Sequence, residues 1–148
     1  MTDYTFRPAR DEDYDSLFAL HEATMRPAIE ATWGWNDAWQ EEYFRRKFDK
    51  SNRQIIQVGG QDAGVLVVED RETELYLGLI ELGPDYQGRG IGTDIVRKLQ
   101  ERAAATHRPL TLHVLKANAA ACGFYERLGF QATDDEGFRY KMTWLPRP

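Results

Sequence analysis

A single cysteine, Cys122, stands in this chain of 148 residues. One thiol cannot close an internal disulfide, so a reducing, cytoplasmic setting is expected. Long apolar runs are lacking as well. The longest strongly apolar stretch, Leu75 to Ile80, falls far short of the roughly 20 residues that span a bilayer. Met1 to Arg7 contains no basic segment leading into an apolar run, so no secretory signal and no membrane partner are expected. Basic charge is in deficit: 24 acidic against 19 basic residues leave a net charge of -5. Nucleic acid is therefore not an expected partner, because affinity for a duplex is built mainly from phosphate neutralisation. The one basic run, Arg45-Arg46-Lys47, reads as a solvated helix face. No His, Cys or Asp cluster has metal-ligand spacing, so no metal is expected. Repeats, long linkers and breaks in composition are missing too, and a single domain over residues 1–148 is expected.

What is present is ordinary globular material. Hydrophobic residues make up 42% and charged residues 29%, which excludes disordered and collagen-like chains. At this length a fold buries roughly two-thirds of its unfolded surface and needs no disulfide or structural metal. Tyr4 to Ala9 reads as a strand. Asp11 is placed to cap a helix carrying Leu17, Leu20, His21 and Thr24 on one face, with Pro27 expected to interrupt it. Asn36 or Asp37 opens a second helix with Trp39, Tyr43, Phe44 and Phe48 as its apolar stripe.

The period then changes. Gln54 to Val58 and Ala63 to Glu69 are β-rich runs joined by Gly59-Gly60-Gln61-Asp62, a hairpin signal. Glu74 to Leu82 is a nearly continuous apolar strand, hence a central one. A helix follows from Gly90 to Ala105 with Ile91, Ile95, Val96, Leu99 and Ala103 inward. Leu110 to Leu115 is a strand and Asn118 to Leu128 a short helix. Phe130 to Thr133 and Phe138 to Trp144 are strands around the turn Asp134 to Gly137. The order β-α-α-β-β-β-α-β-α-β-β describes a mixed α+β sheet rather than strict βαβ alternation.

The most informative segment is Leu79 to Gly92, a strand, a turn, a glycine-rich loop and a helix start. Glycines let successive main-chain N–H groups point into one concavity, and a helix N-terminus adds partial positive charge. Side chains at Gly88, Gly90 and Gly92 would hinder a phosphate, and Arg89 adds a full charge. The dinucleotide fingerprint fails because Thr93 stands where its third glycine belongs, and no Gly-Lys-Ser/Thr completes a Walker loop. The bland alternative is a tight turn that binds nothing.

Gln87-Gly88-Arg89-Gly90-Ile91-Gly92 resembles the Q/R-x-x-G-x-G/A signature of the GCN5-related N-acetyltransferase (GNAT) superfamily. Asn118 to Phe130 resembles that superfamily's N-x-x-A-x-x-x-Y-E-x-x-G-F segment. The resemblance is firm from Leu75 to Phe130. It implies a GNAT-like α+β fold: a mostly antiparallel mixed sheet of about seven strands flanked by helices, splayed between the fourth and fifth strands. It also implies transfer of an acetyl group from acetyl-CoA to a primary amine by direct attack. A non-catalytic acyl-CoA-binding or sensing domain is the alternative, since the same loop serves both.

The resemblance further implies roles for single residues. The main chain of Gln87, Gly88, Arg89, Gly90, Ile91 and Gly92, with Thr93 at the first helical turn, would hold the pyrophosphate of coenzyme A. The main chain of Ile80, Glu81 and Leu82 would pair with the pantetheine arm, one N–H holding the thioester oxygen. Asn118 would contact coenzyme A, or serve only as a helix cap. Tyr125 would protonate the leaving thiolate, or be a packed core aromatic. His113 and Glu81 are the candidate bases, His113 the favoured one; the alternative for His113 is a structural histidine bonded inside the sheet, and for Glu81 a surface ion pair. Glu30, Trp33 and Trp35 lie where this superfamily shapes its acceptor pocket, though ordinary packing explains aromatics equally well. Nothing marks Cys122 as an activated nucleophile. The acceptor would be a small-molecule amine or a peptide, and homodimers are common among such relatives.

Overall fold

The computed structural model describes residues 2–148. Its elements are β1 (Thr5–Pro8), α1 (Tyr14–Trp33), α2 (Asp37–Lys47), β2 (Arg53–Val58), β3 (Gln61–Asp70), β4 (Leu75–Leu82), α3 (Ile91–Ala105), β5 (Leu110–Leu115), α4 (Ala119–Arg127), β6 (Gln131–Asp135) and β7 (Arg139–Trp144). The hydrogen-bonded order is β1-β2-β3-β4-β5-β7-β6. β1–β2, β2–β3, β5–β7 and β6–β7 are antiparallel, and β4–β5 is parallel. The mixed, mostly antiparallel sheet is therefore the one expected. The parallel ladder comprises two pairs, Leu75 with Leu110 and Tyr76 with Thr111, although β4 runs on to Leu82. Among the described residues no helix is long and apolar enough to cross a membrane.

Contacts divide the chain into two compact units. The first runs to Val67 and takes in Leu79–Ile91; the second joins Val68–Gly78 to Gly92–Pro148. In the first unit, Ala9, Leu17, Phe44, Ile55 and Val65 form a buried cluster against which Tyr14, Phe18, Phe48 and Leu79 pack. Burying a side chain such as Phe44 contributes roughly 1.5–3 kcal/mol, and its ring meets Tyr14 and Phe18 edge-on.

Three expectations for this unit are corrected. Pro27 does not interrupt α1, which continues to Trp33. Proline lacks the N–H of a helix interior and costs about 3 kcal/mol there. Burial of Ala28 and Ile29 directly after it, and ion pairs of Arg26 to Glu22 and Glu30 at 2.6 Å, hold the helix through that position. Asp11 is not the cap. Its carboxylate pairs with Lys50 at 3.1 Å, while Asp13 accepts the Arg10 N–H at 2.8 Å. The buried face of α2 is Gln40 and Phe44, not Trp39 and Tyr43, which stay exposed and stack on one another at 5.0 Å. They lie one residue behind the buried pair, hence about 100° around the helix. The expected cap at Asn36 is present, its side chain accepting from Trp39 N–H at 2.9 Å.

In the second unit, Leu110, Leu112 and Val114 of β5 and Met142 of β7 are buried, as are Val96, Leu99 and Ala103 of α3. Gln100 Nε2 donates to the Leu128 carbonyl at 2.8 Å inside this core, which ties α3 to the end of α4. The last hairpin differs from expectation at its turn. β6 continues to Asp135 because its register against β7 shifts between Ala132 and Asp134, a bulge that absorbs one residue.

Candidate active site

In the first unit, the end of β4 leads into the glycine loop. Gly83 N–H donates to the Ala63 carbonyl at 2.8 Å, which holds the strand end against β3. A 3-10 turn, Pro84–Tyr86, follows. Gln87 Nε2 then reaches back to the Leu82 carbonyl at 2.9 Å, so the loop's first residue fixes the orientation of the strand's last peptide. Gly88 and Gly90 take φ of 74° and 83°, the left-handed conformation that side chains resist. A Cβ on Gly88 would meet nothing within 4 Å. The glycine thus serves backbone conformation, and the main chain lies open. Arg89 is exposed, its guanidinium 5.4 Å from the Tyr86 ring centroid. Gly92 and Thr93 belong to the first turn of α3. Exposed loop residues with left-handed glycines, a flanking guanidinium and a helix start in sequence fit a diphosphate.

Glu81 lies one residue before the end of β4 with 3% of its side chain exposed, and its Oε2 is 3.0 Å from His21 Nδ1. His21 comes from α1 and rests against the Phe44 ring, centroids 5.6 Å apart. Burial holds the Arg53 guanidinium below its ordinary value, an effect countered by the charges of Asp49 and Glu81. The sequence places His21 only on a helix face. The signal was a polar ring inside the stripe Leu17-Leu20-His21-Thr24.

The acceptor-side candidates separate. Glu30 pairs with Arg26 Nε at 2.6 Å. The same guanidinium covers the Trp35 ring at 5.2 Å, and Trp35 Nε1 donates to Asp37 at 2.8 Å. Arg26 thus gathers Glu30 and Trp35, while Trp33 ends α1 with 61% of its surface exposed.

In the second unit, both ring nitrogens of His113 are engaged. Nδ1 lies 2.6 Å from the Tyr76 hydroxyl and Nε2 3.2 Å from Glu136. Arg139 Nε donates to the same carboxylate at 2.7 Å and holds Glu136 below the usual carboxylate range. Burial pushes the Tyr76 phenol up, and Arg71 stacks over its ring at 4.0 Å. The sequence does not mark Tyr76 or Glu136, the first because it stands in a run that reads as core.

Asn118 caps α4, its Oδ1 accepting from Ala121 N–H at 3.1 Å. Tyr125, two turns on, is buried between Phe124 and Phe130 with centroids 5.2 and 5.5 Å away. Burial pushes its phenol well above the ordinary value. The Cys122 thiol is also pushed up by burial, and its Sγ faces the Leu115 carbonyl at 3.7 Å, an environment that disfavours the thiolate.

The acetyltransferase (GNAT) family model matches residues 14–130. An uncharacterized N-acetyltransferase of Methanocaldococcus jannaschii is 30% identical over 140 residues, which cover 86% of this chain; the chain spans 61% of that relative's length. The PaiA N-acetyltransferase from Thermoplasma acidophilum, crystallised with coenzyme A, superposes with a TM-score of 0.73 at 17% identity over 97% of this chain and 99% of its own. Naa50 of Arabidopsis thaliana, in complex with a bisubstrate analogue joining coenzyme A to a peptide, gives 0.62 at 18% identity over 95% and 97%.

Proposed function

Because the chain belongs to the acetyltransferase (GNAT) family, we propose that it transfers an acetyl group from acetyl-CoA directly to a primary amine, as one N-acetyltransferase domain over residues 1–148. The observation that carries this reading is the loop from Gln87 to Ile91: two left-handed glycines, an exposed arginine and a helix start, following β4 and its 3-10 turn. Its amides would hold the diphosphate, with Thr93 in the first turn of α3 beside them. Asn118, at the start of α4, would add a further contact to coenzyme A.

The main chain of Ile80, Glu81 and Leu82 would pair with the pantetheine arm. The Leu82 N–H would stabilise the oxygen charge that develops as the amine attacks. The Gln87 bond to the Leu82 carbonyl supports this by fixing the neighbouring peptide. The attacking amine must be neutral, so its proton must leave. Glu81, covered and held by His21, is the base. His113, with both nitrogens committed to Tyr76 and Glu136, orients the Tyr76 phenol instead. Tyr125 keeps its proton through the neutral range and gives it to the departing thiolate. The buried carboxylate at the end of β4 favours catalysis over a binding-only domain, which has no use for it.

The acceptor is an amine on a small molecule or a peptide. Glu30, Trp33 and Trp35 are proposed to meet it, the carboxylate and Arg26-backed ring suiting an amine with an apolar body. Release of free thiol from acetyl-CoA, measured against polyamines, aromatic amines and peptides with a free amino terminus, tests the reading. Glu81→Gln should lose at least about a hundredfold in turnover, as removal of a general base does, and His113→Asn much less. Coenzyme A that fails to bind at micromolar concentration sinks the proposal.

A further inference from the structure

Glu81 and Asp13 are both buried carboxylates of the first unit, and they are held differently. Asp13 takes two guanidinium N–H groups from Arg7 and the Arg10 amide, a set that suits a structural ion pair. Among the described residues, Glu81 leans on one imidazole, His21 Nδ1 at 3.0 Å. A covered carboxylate with so light a hold is a poor device for stability, since apolar groups of the same size serve a core as well or better. Its value lies in where it puts an oxygen atom, on the residue that precedes Leu82 at the end of β4.

His21 is itself fixed from several sides. Its ring lies against Phe44, which is 8% exposed and part of the central cluster of this unit. Its carbonyl accepts from the Thr24 hydroxyl at 3.4 Å. One turn earlier on α1, Leu17 is buried in the same cluster. A ring so braced has one useful orientation, and that orientation aims Nδ1 at Oε2 of Glu81.

We propose that His21 is a positioning residue for Glu81. With its proton on Nδ1 it donates to Oε2, and this sets the carboxylate that receives the amine's proton. In that step the amine N–H bond breaks and its proton and charge pass to Glu81, while His21 keeps the proton it has. The role rests on the acetyl-transfer reading above. It also demands a definite tautomer, because a carboxylate accepts only from a protonated ring nitrogen.

Two measurements on the full chain test this. Imidazole nitrogen NMR at alkaline pH should find His21 with its proton on Nδ1, and in Glu81→Met the proton should move to Nε2, the usual site in a free neutral imidazole. Thiol release from acetyl-CoA is then followed with spermidine, tyramine and a peptide bearing a free amino terminus. His21→Phe keeps the ring against Phe44 but has no donor; its kcat should fall about ten- to a hundredfold, the scale of a misplaced catalytic group, with KM for acetyl-CoA unchanged. His21→Asn offers an N–H near the Nδ1 position and should recover most of the loss. A native ring protonated on Nε2 overturns the proposal, as does native kcat in His21→Phe, or equal loss in His21→Phe and His21→Asn. Native chain that releases no thiol with any of the three acceptors while His21 still carries its Nδ1 proton overturns the transfer reading, and reduces the pair to a hydrogen bond within the fold.

Discussion

Gly64 of β3 faces the main-chain carbonyl oxygen of Glu81 so closely that a Cβ on Gly64 would fall well inside contact distance, with Leu82 Cδ2 crowding the same point at 3.0 Å. The group in the way is main chain and cannot rotate aside. Gly64→Ala must therefore push Glu81 and Leu82 away from β3, against the Gly83–Ala63 hydrogen bond. Overpacking of this kind costs about 1–3 kcal/mol, with roughly 2–4 °C of melting temperature lost per kcal/mol at this size. Thiol release should fall by more than the loss of folded protein explains. Gly64→Ala with native melting temperature and native turnover would show that this close approach does not set the site.

At Gly88 the constraint is conformation alone, because the space around it is open. Gly88→Ala should leave the melting temperature nearly unchanged, since the loop is exposed and can relax. Relaxation spoils the aim of the amides, and a left-handed alanine costs about 1–2 kcal/mol, so coenzyme A should bind about tenfold more weakly by calorimetric titration. Arg89→Ala should also weaken binding, and should flatten its dependence on salt, because an exposed charge is screened over about a Debye length.

The strands and the glycine loop were legible because their signals are local: alternation, an Asn at a helix start, glycines between a strand and a helix. The partners of the site residues were not. His21 and Glu81 are 60 positions apart and Tyr76 and His113 are 37 apart, so no window along the chain holds either pair; topology makes them. Pro27 misled for a related reason. Its local preference is real, but Ala28 and Ile29 are buried just beyond it, and tertiary packing outweighs one missing hydrogen bond. On α2 the aromatic residues hid which face is buried, since Trp39 and Phe44 differ in no property that composition reports.

Arg7 grips Asp13 and Asp62 together, at 2.8 and 2.7 Å, and holds both carboxyls below their usual range. A carboxyl whose value is lowered by folding contributes stability that is present above its unfolded value of about 4 and is lost as pH falls through the folded value. The native chain should therefore keep its stability down to about pH 4 and lose it progressively below. Arg7→Met removes the guanidinium and should shift the acid unfolding midpoint to higher pH, measured by circular dichroism. An unchanged midpoint would show that the pair of carboxylates is indifferent to Arg7.

Tyr125 titrates in the opposite direction. Burial between Phe124 and Phe130 raises its phenol, so the neutral form is favoured by folding. The unfolded phenol ionises near pH 10. Below that pH the contribution to stability is complete, and it is lost as pH rises towards the folded value. Stability should fall above about pH 10, and Tyr125→Phe should soften that fall. In its proposed catalytic role the same burial keeps the proton available throughout the neutral range but makes the phenol a weaker acid than the thiol it would serve. The gain from proton transfer should thus lie at the low end of the usual range, about a hundredfold. Tyr125→Phe should lose that much in kcat while its dissociation constant for acetyl-CoA stays within about twofold, since a hydroxyl proposed to meet a thiolate that exists only after bond breaking would add nothing to ground-state binding. Pre-steady-state thiol release measures this directly, and native single-turnover rates in Tyr125→Phe would remove the residue from the chemistry.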